Sequence, residues 1–215
     1  MIGRGEQIRQ TIDEILLFRR NFMARRGNDA PDVALLRGAQ EEMWNKLFEL
    51  QFSVNPAEVL EWMLDQGVAA SIEAYGIRGM DGLIAARQGS IALGRWTSAL
   101  RDIVGATPGH RDYLSALRQA AYVRDGSLVF VSAGIEPDRP LDAQGDTLWW
   151  GGRGFDQIKD AYFGCRLVVR GFDGAHGGMK VTEFAASIDG GCGFGGPLIA
   201  ACVSPTDGIV EIIEG

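Results

Sequence analysis

The sequence lacks several features that would place it in a common class of protein. It has two histidines and three cysteines in 215 residues, too few and too scattered for a disulfide framework or a zinc site. Basic residues are in the minority, and the net charge of −7 argues against a surface for nucleic acid or anionic membranes. No apolar run approaches the roughly 20 residues that span a bilayer, and the first residues contain no apolar core of a secretory signal. We therefore expect a soluble, cytoplasmic protein.

The first part of the chain has helical periodicity. Hydrophobic residues are 46% of the sequence and charged residues 23%, which is enough apolar material for a folded core. Apolar side chains three to four positions apart predict an amphipathic helix over 6–26, a second helix over 40–50, and several short helices over 68–117. A further helix is predicted to begin at Asn55-Pro56, where Asn55 can cap and Pro56 takes the first helical position. A short strand is predicted over Asp32 to Leu36.

After Ala120 the period changes to that of strands. The predicted strands are 128–131, 167–169, 179–188, 198–203 and 209–213. The first of these is wholly apolar, as expected for a strand covered on both faces of a sheet. No linker separates the halves, so we interpret residues 1–215 as a single α/β domain. Its mainly helical part is 1–120 and its mainly β part is 121–215.

One glycine-rich segment matches a nucleotide-binding pattern only formally. The segment Gly191–Gly196 fits G-x-G-x-x-G, but Pro197 and a strand-like run follow it. The mechanism of dinucleotide binding requires a helix N-terminus at that point. We therefore do not expect a dinucleotide cofactor.

The remaining individual residues favour structural interpretations. His110, at a predicted helix start, and His176, in a glycine-rich turn, have no metal-ligating partner at helical spacing, so we expect surface or capping roles. Ser132 follows an apolar strand but lacks the G-x-S-x-G elbow of a nucleophile. The aromatic residues at 149–150 and Phe155 are best explained by core packing, with a partner surface as the alternative.

Six segments in order along the chain resemble motifs of one family. They are Ile2–Gly5, Leu35–Glu41, Leu128–Ile135, Pro140–Trp150, Val168–Asp173 and Ile188–Gly196. These segments are similar to the end of G-D-x-x-D-R-G and to L-R-G-N-H-E, F-V-H-A-G, P-L-x-x-Q…L-W, V-V-H-G-H-T and L-D-T-G-A-x-F-G-G. Those motifs belong to calcineurin-like metallophosphoesterases, in particular the bacterial Ser/Thr protein phosphatases and symmetrical diadenosine tetraphosphatases. The resemblance implies an α/β/β/α sandwich that lacks its first strand–helix unit.

The chain departs from this family at the positions that carry the chemistry. Such enzymes hold two metal ions about 3.5–4 Å apart, which activate a water molecule and clamp the phosphoryl oxygens. The position of the ligating asparagine is Ala39, and the positions of the two later histidines are Ser132 and Phe172. Alanine and phenylalanine have no lone pair for a metal, and a neutral hydroxyl is a poor ligand. The family's histidine acid is replaced by Gln40, which has no titratable proton, and the aspartate that orients it is replaced by Gly3.

Two arginines remain as candidates for anion binding. Arg4 occupies the position of the family's phosphate-binding arginine. Arg170 lies two residues before Phe172, which predicts the same strand face for both side chains. A guanidinium there is unfavourable for a dication and favourable for an anion.

These substitutions favour a pseudoenzyme with a metallophosphoesterase fold and no metal cofactor, acting as a binding or assembly module for a phosphorylated or nucleotide ligand. One alternative is an active phosphoesterase of phosphoproteins or dinucleoside polyphosphates. It would bind two Mn, Fe or Zn ions through upstream groups or through Asp173, His176 or Asp189. The other alternative is a purely structural or dimerisation subunit. The absent first strand would leave a sheet edge, which either a reading frame beginning upstream of Met1 or a partner, such as a second copy, would cover.

Overall fold

The computed structural model describes residues 2–215, which form two compact units. The first, here called the helical unit, comprises residues 2–35 and 39–117. The second, here called the sheet unit, comprises Leu36–Gly38 and Arg118–Gly215. The fold class is mixed α/β, with helices mostly in the N-terminal half and strands in the C-terminal half, as predicted. The single-domain assignment and the four-layer sandwich stay predictions.

The helical unit contains seven α-helices. They are α1 (Ile8–Met23), α2 (Ala39–Leu47), α3 (Pro56–Met63), α4 (Ala69–Ala74), α5 (Gly79–Gln88), α6 (Ser90–Ala106) and α7 (His110–Ala116). A π-helical turn, Leu64–Val68, joins α3 to α4. Short 3-10 helices occupy Ala30–Asp32 and Leu50–Phe52. The helices that the apolar spacing predicts are therefore present, and α3 begins at Pro56 as expected.

The strand predicted over Asp32 to Leu36 is wrong. A 3-10 turn occupies Ala30–Asp32, and the backbone N–H of Asp29, the residue before it, donates to the Asp32 carboxylate at 2.6 Å. Asp side chains that bond to nearby backbone favour turns over strands. Of the predicted strand only Leu36 forms a bridge, with Arg118.

His110 is a core residue, so the prediction of a surface or capping role for it is wrong. Its side chain is fully buried, with Nδ1 2.7 Å from the Tyr75 hydroxyl and Nε2 3.1 Å from the carboxylate of Asp13 on α1. Burial raises the pKa of the Tyr75 hydroxyl to about 12. The phenol therefore stays protonated over the range in which the protein is handled, and the hydrogen bond persists.

Tyr75→Phe tests the value of this bond, and Tyr113 supplies a matched control. The substitution leaves His110 Nδ1 buried without its partner, so we expect a loss of about 1–2 kcal/mol in the free energy of unfolding. The Tyr113 hydroxyl is also buried, but it has no hydrogen-bond partner among the described residues. Tyr113→Phe should therefore be neutral or slightly stabilising. Equal losses in urea unfolding of the two variants would contradict the assignment.

The sheet unit contains a five-stranded mixed sheet and a separate hairpin. The sheet consists of β1 (Ala120–Tyr122), β2 (Leu128–Val131), β3 (Leu167–Arg170), β4 (Lys180–Val181) and β5 (Ala185–Ser187), in the order β1-β2-β3-β5-β4. The strands β2, β3 and β5 are parallel, and the outer strands pair antiparallel. The hairpin pairs β6 (Ile199–Ser204) with β7 (Gly208–Glu214). A short helix, α8 (Thr147–Trp150), and two 3-10 turns, Leu141–Ala143 and Phe155–Gln157, complete the unit.

The central strands are apolar because both faces of the sheet are covered. Val129, Val131 and Val168 belong to one buried cluster, while Leu128 and Val169 belong to another on the opposite face. This confirms the prediction for the apolar strand over 128–131. The segment predicted as one strand over 179–188 is instead two short strands, β4 and β5, joined by a turn.

The glycine-rich segment Gly191–Gly196 is a compact loop. The backbone N–H groups of Phe194 and Gly196 donate to the Gly191 carbonyl at 2.8 and 3.0 Å. The next element is β6 and not a helix, as the sequence predicts. Within residues 2–215 no helix combines the length and apolar character that crossing a bilayer requires.

Candidate functional site

In the helical unit, the predicted site residues Gly3 and Gln40 lie against each other. Gly3 has a φ of +98°, and a Cβ there would collide with the Gln40 side chain. The Gln40 amide Nε2 donates to the Gln66 carbonyl at 2.6 Å. This amide is therefore held in a structural hydrogen bond at the position where the resemblance implies a proton-donating histidine.

The neighbours of this pair also have structural contacts. Glu41 is buried, and its Oε1 accepts a hydrogen bond from the Ile2 backbone N–H at 3.3 Å. Ala39 is the first residue of α2 and offers no side-chain donor. Arg4 is exposed. Its predicted role in anion binding stays a prediction.

In the sheet unit, Ser132 and Phe172 follow the carboxyl ends of two adjacent parallel strands. Ser132 comes directly after β2, and Phe172 comes two residues after the end of β3. The Phe172 backbone N–H donates to the Ser132 carbonyl at 2.8 Å. The two positions at which the resemblance implies the family's later histidines are thus neighbours in the structure. Such strand ends are where open α/β sheets place their ligand sites.

Arg170 is buried within a network of carboxylates. Its guanidinium lies 2.8 Å from the Asp173 carboxylate and 3.4 Å from that of Asp156, and its Nε donates to the Ser187 hydroxyl at 3.2 Å. The guanidinium carbon lies 4.3 Å from the centre of the Phe155 ring. The charge of Arg170 is therefore compensated by the protein's own side chains. Because β3 ends at Arg170, Phe172 lies beyond the strand, and the expectation of a shared strand face for these two residues is wrong.

A second polar pair, His176 with Asp189, lies beside this network, and only its aspartate belongs to a motif of the resemblance. His176 Nδ1 is 3.0 Å from Asp189 Oδ2, and the same oxygen accepts from the Asp173 backbone N–H at 2.8 Å. The His176 ring stacks on Phe194 with 3.8 Å between ring centroids and meets Phe172 edge-on at 5.3 Å. His176 also has a φ of +46°, which is uncommon outside glycine. Its side chain is partly exposed, and its pairing with Asp189 is not predicted from the sequence.

The pKa of Asp189 reflects these contacts. Burial by itself would raise it, but hydrogen bonds from the backbone N–H groups of Asp173 and Gly191, and from His176, outweigh burial and lower it below 3.8. Asp189 is therefore ionised at neutral pH. It orients the His176 ring in the way that a carboxylate holds a catalytic or ligating histidine.

Asp189→Asn gives a pH-dependent test of this pair. A carboxylate with a lowered pKa in the folded state stabilises the protein fully above its ordinary pKa, and this contribution is lost as pH falls through the folded value. We expect the variant to be about 2 kcal/mol less stable than wild type at pH 7. The difference should disappear as the pH falls below 3.8. Urea unfolding at a series of pH values measures it, with exposed Asp160→Asn as the control. A difference that does not vary with pH would contradict the assignment.

The side chains present do not fit a two-metal centre. Ala39 and Phe172 have no donor atoms, and the three alternative ligands are committed to other groups. The Asp173 carboxylate faces Arg170, while His176 and Asp189 bond to each other. Among residues 2–215, no group of three or more His, Cys, Asp or Glu side chains is arranged to hold a metal ion.

No protein-family model matches the sequence. No curated protein matches it. One solved structure, described as "Crystal structure of a putative diadenosine tetraphosphatase", aligns with a TM-score of 0.38 and 21% identity. The alignment covers 53% of this chain and 60% of that chain. A TM-score this low does not establish a shared fold.

Proposed function

We propose that this chain is a phosphoesterase-like scaffold without a catalytic metal pair, acting as a binding or assembly module. The proposal depends on one observation. The positions where the resemblance implies metal ligands and a general acid hold Ala39, Gln40, Ser132 and Phe172, and the Gln40 amide is bonded to a backbone carbonyl. A hydrolase of this class needs lone pairs and a removable proton at these positions.

The ligand in this proposal is a phosphorylated molecule or a nucleotide, and Arg4 is the residue best suited to meet it. Arg170 is buried and ion-paired, so an anion there would have to displace Asp156 or Asp173. Thermal unfolding with inorganic phosphate and with ATP tests this part. We expect a stabilising shift that Arg4→Ala removes and that exposed Arg124→Ala retains.

Metal content and hydrolysis test the absence of catalysis. The purified protein, measured by elemental analysis, is expected to contain far less than one Mn, Fe or Zn ion per chain. It should hydrolyse neither p-nitrophenyl phosphate nor diadenosine tetraphosphate when Mn²⁺ is added. Two stoichiometric metal ions, with turnover that His176→Ala or Asp189→Asn abolishes, would overturn the proposal in favour of an active phosphoesterase.

An assembly surface at a sheet edge, which we expect from the sequence, would use β1 or β4. These strands have three and two residues, so each offers few main-chain groups for pairing with another chain.

A further inference from the structure

One short segment of this acidic protein is locally basic. Residues 19–26 contain four arginines and no acidic residue. The chain has 21 basic and 28 acidic residues, so outside this segment 17 basic and 28 acidic residues remain, a net charge of −11. The segment covers the end of α1 and the turn that follows it. Charge of this density on an otherwise acidic chain favours contact with an acidic surface.

The same end of α1 also carries two aromatic side chains, of which Phe18 is exposed. Only Ile8 and Ile12 of this helix are buried, both in its first half. Phe18 is 61% exposed, and its ring lies 6.0 Å from that of Phe22. We call Phe18, Phe22 and the four arginines at 19, 20, 25 and 26 the basic end of α1. None of these arginines forms an ion pair with any described residue.

Stability of the helix explains only part of this arrangement. A cation near the C-terminus compensates the negative end of the helix macrodipole, and Arg20, Arg25 and Arg26 can all contribute to this. An exposed Phe18 contributes nothing to the dipole. The combination of exposed aromatic groups with arginine is instead typical of the central residues of protein interfaces.

The helical unit carries a complementary surface on α3. Residues 47–77 contain five acidic residues and no lysine or arginine. Glu58, Glu61, Trp62 and Asp65 share one face of α3 and the turn after it, because they are spaced at i, i+3, i+4 and i+7. The opposite face holds the buried residues Leu60 and Met63. We call the four residues the acidic face of α3.

This face is apolar as well as acidic. Trp62 is 49% exposed. Phe52 and Val54, in the segment just before the helix, are 82% and 95% exposed. Exposed apolar residues rimmed by charge mark interaction sites. The acidic face of α3 and the basic end of α1 therefore share two properties, exposed large apolar groups and charge, with the charge of opposite sign.

We propose that the helical unit binds a second copy of this chain, with the basic end of α1 on the acidic face of α3. Arginine and carboxylate groups form paired, charge-assisted hydrogen bonds, and Phe18 and Trp62 supply the apolar anchors. The contact joins two different surfaces, so it is heterologous and closes into a dimer or ring or continues as a chain. The inference rests on the proposed function in one respect: it names a second copy of this chain as the partner in the proposed assembly role.

Charge reversal tests the contact. Arg25→Glu with Arg26→Glu changes residues that follow the last turn of α1, so it should cost the helix end little, and circular dichroism checks that the helix is retained. We expect sedimentation equilibrium to show wild-type association that this double variant weakens at least about tenfold. Association of the wild type should also fall when NaCl is raised from about 0.05 M to about 0.5 M. Exposed Arg111→Glu with Arg124→Glu changes the net charge equally and should associate like wild type.

A charge swap makes the test specific. Glu61→Arg with Asp65→Arg should also be monomeric alone, because both surfaces are then basic. An equimolar mixture of this variant with Arg25→Glu/Arg26→Glu should associate again, since each surface then meets its opposite. Circular dichroism of each variant confirms that it is folded. A monomeric wild type, or a mixture that stays monomeric, would overturn the proposal and would leave the metal and hydrolysis measurements unaffected.

A lipid surface is the competing partner for a basic, aromatic helix end. Sedimentation with vesicles containing phosphatidylserine distinguishes it. Binding that Arg25→Glu/Arg26→Glu abolishes, together with a monomeric wild type, would assign the basic end of α1 to membranes. That outcome would overturn self-association.

Discussion

Gly67→Ala is expected to lower the free energy of unfolding by about 3 kcal/mol or more, among the largest effects of any single methyl group in this protein. Gly67 has a φ of +112°, which strains any residue with a Cβ. A Cβ there would also collide with the backbone carbonyl oxygen of Gly3 and lie 3.3 Å from Gln40 Nε2. Backbone cannot rotate away as a flexible side chain can. The substitution therefore displaces the segment that holds the candidate site of the helical unit.

Gly76→Ala, in the turn after α4, is the control for this effect. Its φ is +77°, and nothing lies within 4 Å of the position that a Cβ would take. It therefore carries backbone strain without the collision, and we expect a loss of about 1–2 kcal/mol. Urea unfolding followed by circular dichroism measures both variants. If the two losses are equal, the close approach of Gly67 to Gly3 is wrong.

Asp173→Ala is expected to cost about 3 kcal/mol, because it leaves the buried Arg170 guanidinium without its closest counter-ion. The nearest remaining carboxylate, that of Asp156, is 3.4 Å away and largely exposed. Asp138→Ala, at an exposed position, should change stability by less than about 0.5 kcal/mol. Thermal or urea unfolding gives both values.

A double-mutant cycle separates the ion pair from other effects at this position. Arg170→Met removes the buried charge and keeps an apolar chain against the Phe155 ring. Combined with Asp173→Ala, it should recover part of the loss, since replacing a whole buried pair costs less than breaking it. The Asp173 carboxylate also accepts a hydrogen bond from the Ala175 backbone N–H at 3.1 Å. Additive losses would show that Asp173 stabilises the protein through this turn and not through Arg170.

The sequence predicts the elements of this fold better than its contacts. Helical spacing and the change of period after Ala120 identify most helices and strands, because each signal is local. The burial of His110 is different. It depends on Asp13 and Tyr75, which lie 97 and 35 residues away along the chain. No local pattern contains that information.

The candidate site is likewise predicted in its residues better than in its contacts. The family motifs identify Ser132 and Phe172 as site positions, and the two residues are neighbours because they follow adjacent parallel strands. From the sequence, His176 and Asp189 are candidates only as alternative metal ligands, and their pairing is not predicted, although a usable signal exists. Asp189 follows β5, which lies parallel to β3, so its position at a carboxyl strand end could have been inferred from topology.

The sheet unit is expected to fold more slowly than the helical unit, because its strands pair between distant parts of the chain. β2 pairs with β3 through residues such as Leu128 and Leu167, which are 39 positions apart, whereas α5 and α6 are joined by Gly89 alone. Closing long chain loops before any contact forms slows folding, so nonlocal sheets fold later than helical hairpins. During refolding from urea, we expect helical circular dichroism to recover before Trp149 becomes buried. Synthesis from the N-terminus would reinforce that order, since most of the sheet unit follows the helical unit along the chain.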